Sequence, residues 1–252
     1  MYLVKPNETF FKLDPDGFFI NDPGVGRWMF RDGISEGAYI DWCRENFIRP
    51  DRVFLDIGAH IGSWSWSLAQ GAAHTWAFEP NPEVYNCLCA NIFLKGLNHQ
   101  ITAMPWGLSS ESGTATYRVR SSDGGGNGFT HLGEQREKNN LEERELPIRK
   151  LDDLGLENIG FIKLDVEGHE IEVLRGGVQT LEGSGWPPIL FESWEPWRED
   201  REHRIPAREL RSELWGWLEE HGYRIIPVGS QGSEIFLAEQ SGTEKKFLSD
   251  VV

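Results

Sequence analysis

The chain has 252 residues, 39% of them apolar and 12% aromatic, which supports one large folded domain and excludes a globally disordered chain. Its formal net charge is −15 and its basic residues are scattered, whereas a nucleic-acid binder needs clustered cations to replace phosphate counterions. Cys43, Cys87 and Cys89 form no CxxC pair and read as reduced packing residues of a cytoplasmic protein. No apolar run approaches the ~20 residues of a membrane span, and no signal-peptide pattern is visible.

Residues 1–33 are rich in Gly, Pro, Asp and Phe and suggest a small hairpin, so residues 1–50 read as a lead-in to a domain over 51–252. "SEGAYIDWCRENF" (35–47) reads as a short helix with Ser35 as N-cap. Strand and helix patterns then alternate. Val53–Ile57 is a strand, Ser63–Gln70 a helix, His74–Phe78 a strand, Pro82–Leu97 a helix and Ile101–Met104 a strand. Phe161–Asp165 is a further strand, "EGHEIEVLRGGVQTL" is helical, and Ile189–Glu192 is a strand. A helix over Ala207–His221 and two closing strands, "YRIIPV" and "SEIFLAE", complete the series.

This alternation predicts a doubly wound, Rossmann-like α/β fold with a seven-stranded, mostly parallel sheet and an antiparallel C-terminal hairpin strand. Residues 114–154 interrupt the series with a strand, a polar glycine-rich loop and a strand at Leu146–Ile148.

The turn after the first strand, "VFLDIGAHIG" (53–62), could face three kinds of nucleotide. A triphosphate loop needs Gly-Lys-Ser/Thr, and no lysine lies between Lys12 and Lys95. A dinucleotide fingerprint needs a glycine where Asp56 stands, and an aspartate there repels a pyrophosphate. The same aspartate suits the ammonium and sulfonium of S-adenosylmethionine, with Gly58 and Gly62 letting the backbone lie against the ligand. Glu79 ends the second strand 23 residues later, in "AFEPNP", where a carboxylate can accept a ribose diol. A nicotinamide-dependent oxidoreductase is the alternative enzyme, disfavoured because Tyr85 and Tyr117 are followed at the fourth place by Cys89 and Ser121, not lysine. A non-catalytic module binding the same cofactor is the third reading.

The blocks "FLDIGAHIGSWS" (54–65), "FEPNPEVYNCLCANI" (78–92), "LDDL" (151–154), "FIKLDVEGHEIEVLRGG" (161–177) and "ILFES" (189–193) resemble the FkbM-type family of S-adenosylmethionine-dependent methyltransferases. The family commonly carries "GAN" where this chain has "GAH", with His60 at the third place. The resemblance implies methyl transfer to a hydroxyl of a sugar, glycolipid or polyketide, usually without a metal. The cofactor set expected is Glu36 in the lead-in, Asp56, Gly58, Ala59, His60, Gly62 and Ser63 around the first turn, and Glu79, Pro80 and Asn81 after the second strand. Trp106, Gly107 and Asp165 complete it.

Methyl transfer from an alcohol needs a general base, and carboxylates or imidazoles at the C-terminal ends of the strands are the candidates. Asp165, Glu192 and His169 fill that role, and Glu167 beside them is a candidate for binding the acceptor. Lys163 reads as a structural lysine that pairs with a carboxylate. Asn127, in "SSDGGGNGFT" (121–130), offers an amide to an acceptor, and Trp194 and Trp197 offer flat faces to a sugar. The seven histidines show no metal-binding spacing, so no metal is predicted. The expected partners are the small-molecule or glycan acceptor and, compatibly, a second copy of the chain, with no nucleic acid.

Overall fold

The computed structural model describes residues 2–4, 10–12, 36–120, 127–129, 141–196, 207–229 and 233–240. Near the N-terminus β1 (Tyr2–Val4) pairs antiparallel with β2 (Phe10–Lys12), the small hairpin expected there. Helix α1 (Gly37–Asn46) follows, with Glu36 at its N-cap; Ser35 lies outside the described residues.

The main sheet has seven strands in the order β12-β13-β11-β10-β3-β4-β5. They are β3 (Val53–Ile57), β4 (His74–Phe78), β5 (Ile101–Met104), β10 (Ile159–Leu164), β11 (Ile189–Glu192), β12 (Tyr223–Pro227) and β13 (Ile235–Gln240). Strands β3, β4, β5, β10 and β11 run parallel, and β13 is antiparallel to both of its neighbours. The expected topology is therefore present.

Both faces of the sheet are buried, as the near-continuous apolar strands require. Phe54, Phe161, Leu190 and Leu237 pack toward α1 and α2 (Ser63–Leu68), in a cluster with Ile40, Cys43, Phe47 and Trp64. Leu55, Ile57, Ile162, Leu164 and Phe191 point to the other face, against α4 (Glu170–Arg175), α5 (Val178–Gly183) and α6 (Ala207–Glu220). A third cluster joins the far end of the sheet to α3 (Pro82–Leu94) through Ala77, Leu88 and Ile92.

Several boundaries differ from the sequence reading. Helix α3 stops at Leu94, before Gly96 at φ +68°. Strand β10 ends at Leu164, which leaves Asp165 just beyond it. The helical stretch after it is two helices, because Gly176 packs against the Ser109 backbone so closely that a Cβ would lie 2.0 Å from its carbonyl oxygen.

The interrupting segment forms its own four-stranded sheet, β6-β9-β7-β8. Strands β7 (Gly113–Arg120) and β9 (Leu141–Arg149) pair antiparallel over eight residues, β6 (Gly107–Leu108) lies parallel to β9, and β8 (Gly128–Phe129) pairs with β7. The second strand is thus longer than Leu146–Ile148. Tyr117, Phe129, Leu146 and Ile148 form this sheet's own core.

Candidate active site

Parallel strands deliver their C-terminal ends to one edge, and there β3, β4 and β10 bring the site together. The turn after β3 is tied to β4 by bonds from the Gly58 and Ala59 N–H groups to the Phe78 carbonyl. Gly58 has φ +79°, and a Cβ on it would lie 1.8 Å from the Asp165 carbonyl oxygen. Gly62 has φ +97°, and its Cβ would lie 2.6 Å from Leu88. Both glycines answer close approaches within the chain itself.

His60, between them, also has a left-handed backbone, φ 51°. Asn, Asp and His are the non-glycine residues enriched in that region, so His60 is one of the few side chains suited to it. Its N–H donates to Glu79 Oε2 at 3.0 Å, and the Asn81 N–H donates to Glu79 Oε1 at 2.9 Å. Glu79 is 6% exposed, and burial pushes its pKa up against the pull of His60 and these two donors. Each of its oxygens keeps a lone pair for a further donor. Asn81 itself is buried and caps α3 by accepting from the Glu83 N–H, so its side chain serves the helix. Pro80 is partly exposed beside them, as is Ser63 at the start of α2, while Ala59 is buried.

Beneath this turn lies a charge cluster. Asp56 and Lys163 are register partners on β3 and β10 and point to the same face of the sheet. Asp56 is completely buried; Ser65 Oγ donates to its Oδ2, and its Oδ1 has no hydrogen-bond partner and lies 4.0 Å from Lys163 Nζ. Asp56, expected in the cofactor set, is thus sealed beneath the turn. Lys163 Nζ donates to the Gly58 carbonyl at 2.9 Å and lies 3.3 Å from Asp165 Oδ2. Burial alone would lower the Lys163 pKa, but Asp165, Asp56 and Glu36 outweigh it and hold the ammonium above its ordinary range.

Glu36 accepts a 2.6 Å hydrogen bond from Trp64 Nε1, and burial pushes its carboxyl up despite Lys163. Three carboxyl groups thus surround one lysine. Carboxyl groups that outnumber the ammonium fit a cationic ligand above them.

Asp165, Glu167 and Glu192 form the second half of the site, each offering an oxygen within 4.8 Å of the others. Spacing along the chain concealed this convergence, and among the described residues these three are the group that could hold a metal ion. The turn bearing the first two is held by Glu170, whose Oε1 accepts from the Val166 and Gly168 N–H groups. It carries Glu167 at φ 57° and Gly168 at φ 94°. Glu192 Oε2 accepts from Trp194 Nε1 at 3.1 Å.

His169 does not join them. It is 8% exposed, with Nε2 3.0 Å from Ser109 Oγ and its ring beside Phe129, so it belongs to the seam between the two sheets and is no base. Trp194 is 7% exposed and packs against Ala207, so it orients Glu192 and offers no open face to a sugar. Trp197 lies outside the described residues. Asn127 is partly exposed and next to Gly128, which packs against Glu167. Gly107 lies under Phe129, and Trp106 packs against the main core with Arg149 above its ring, its buried indole N–H without a described partner. Sequence reasoning missed Ser65 and Glu170 and undervalued Lys163. The signal for Lys163 was its two-residue spacing from Asp165, which puts both on one side of the strand.

The sheet order and the acids gathered at the C-terminal ends of its parallel strands define a doubly wound α/β domain. Residues 56–225 match the model of the methyltransferase FkbM domain, and the chain belongs to that family. It is 30% identical over 166 residues to the hexuronic acid methyltransferase AglP of Haloferax volcanii, covering 62% of each chain. It is also 30% identical over 149 residues to the 2-O-methyltransferase NoeI of Sinorhizobium fredii, covering 53% of this chain and 60% of that one. The chain therefore spans about three fifths of the length of each of these two relatives. Among solved structures, the FkbM methyltransferase of Methylobacillus flagellatus KT superposes with a TM-score of 0.50 at 18% identity, over 75% of this chain and 44% of that one. No helix among the described residues is long and apolar enough to cross a membrane.

Proposed function

We propose that this protein transfers the methyl group of S-adenosylmethionine to a hydroxyl of a carbohydrate or another small hydroxylated natural product. The observation that carries this reading is the pairing of Glu79, clamped by two backbone N–H groups at the end of β4, with the lysine-centred carboxylate cluster beside it. The activities for which these relatives are named, on hexuronic acid and at a 2-O position, support a sugar hydroxyl as acceptor. None of the three cysteines is in a disulfide, which suits a cytoplasmic setting.

The residues present fit the cofactor. Glu79 has lone pairs left for a ribose diol, and the carboxyl groups of Glu36, Asp56 and Asp165 outnumber the single Lys163. When bound, S-adenosylmethionine supplies a methyl carbon on a positively charged sulfur, open to in-line displacement. Asp165, whose carboxylate is 31% exposed, takes the proton of the attacking hydroxyl, and Lys163 fixes that carboxylate from below. Glu167 and Glu192 hold neighbouring hydroxyls of the acceptor. Most of the acceleration comes from alignment of nucleophile and methyl group.

Calorimetry with S-adenosylmethionine and with NADH tests the reading. Heat from the first and none from the second is expected, and tight NADH binding without S-adenosylmethionine binding overturns it.

A further inference from the structure

Tyr117 on β7 is 5% exposed, yet its hydroxyl hydrogen-bonds to no described residue. The oxygen is also not among the fully sealed, unpartnered polar atoms of the interior. The surroundings place it. Across β8, Tyr117 pairs with Phe129 in register, the rings edge to face at 5.1 Å. The neighbouring Gly128 packs on Glu167, where an added Cβ would lie 3.1 Å from the Glu167 Cβ. Across β9, its partner is Arg144, which bonds Glu83 at 2.6 Å and so ties the small sheet to the first turn of α3, four residues after Glu79. The phenol therefore lies between the segment that begins at Glu79 and the turn that carries Glu167.

We propose that Tyr117 is a cofactor-binding residue: its hydroxyl closes over the ribose from the second sheet, opposite Glu79, and bonds the diol that Glu79 accepts. This rests on the reading of the cleft as the S-adenosylmethionine site. A buried phenol left unpaired is costly, and the bound ribose satisfies it. Burial, and then the Glu79 and Glu167 carboxylates, hold the phenol well above its ordinary pKa, so it remains a neutral donor throughout the working pH range. The site otherwise presents carboxylates to the ribose, and a neutral group is what a diol oxygen can accept from.

S-adenosylhomocysteine calorimetry on the full chain separates the outcomes. Tyr117→Phe removes only the hydroxyl and should weaken binding roughly tenfold, with the melting temperature of the free protein unchanged. Phe129→Leu loosens the packing around the same ring but keeps the hydroxyl, and should lower the melting temperature with affinity within about twofold of wild type. Wild-type affinity in Tyr117→Phe, or equal losses in both variants, overturns the proposal while the cofactor reading stands. No binding to the wild-type protein overturns both.

Discussion

The carbonyl oxygen of Asp165 occupies the place where Gly58 would carry a side chain, 1.8 Å from that position. Two strand ends are thereby pressed together, and the candidate base is located by a residue with no side chain. Gly58→Ala should cost roughly 3 kcal/mol or more, from overpacking and left-handed strain together. Gly155, at φ +61° with nothing within 4 Å, carries only the strain, so Gly155→Ala should cost about 1–2 kcal/mol. Thermal unfolding compares the two; equal losses would mean that the close approach is not a constraint.

Glu79→Ala should weaken S-adenosylmethionine binding by about a hundredfold, because it removes the ribose acceptor and orphans the His60 and Asn81 N–H groups. Glu83→Ala, a few residues on, removes only an ion pair between Arg144 and a side chain that is 60% exposed. Its effect should stay within a few-fold. Similar losses in the two variants, read by calorimetry, would place the ribose elsewhere.

Asp165→Asn should lower kcat by roughly 10²–10⁴ and leave S-adenosylhomocysteine affinity within several-fold. Chelation by EDTA should leave the wild-type rate unchanged, since Lys163 already partners Asp165. A rate that collapses with EDTA and returns with a divalent ion would assign the Asp165–Glu167–Glu192 group to a metal.

Burial pushes the Glu170 carboxyl up to about 7, with Asp165 adding to it, against the backbone N–H groups that it accepts from. A carboxyl with a higher pKa folded than unfolded contributes stability that is complete below its unfolded pKa, 4.5, and is lost as pH rises through about 7. Glu170→Gln keeps an acceptor for Val166 and Gly168 without the charge. The variant should therefore gain on wild type by up to about 3 kcal/mol between pH 4.5 and 8. Denaturant titrations that stay parallel across that range would rule this out.

The sheet was legible in the sequence because its strands are short apolar runs separated by turn signals, and Val53–Ile57, His74–Phe78 and Ile189–Glu192 fall where periodicity put them. Glu79 and Asp165 were legible as acids at strand ends. The partners of each side chain were not. His169 follows the acidic turn in sequence yet turns to Ser109, sixty residues away, because the second sheet packs there. Trp194 is drawn into the core by Ala207, and Asp56 below the site by Ser65. Tyr117 sits in a segment that interrupts the repeating pattern, where no periodicity indicates which strand faces the cleft.

His60 bears on how such chains are read from their letters. In this chain the position supplies a left-handed backbone torsion and one N–H aimed at Glu79, and neither of these two is a property of the side chain. Asparagine, aspartate, histidine and glycine are synonyms under that criterion, though an alphabet of side chains scores them as mismatches. A search pattern written in torsion classes would treat "GAH" and "GAN" as the same word.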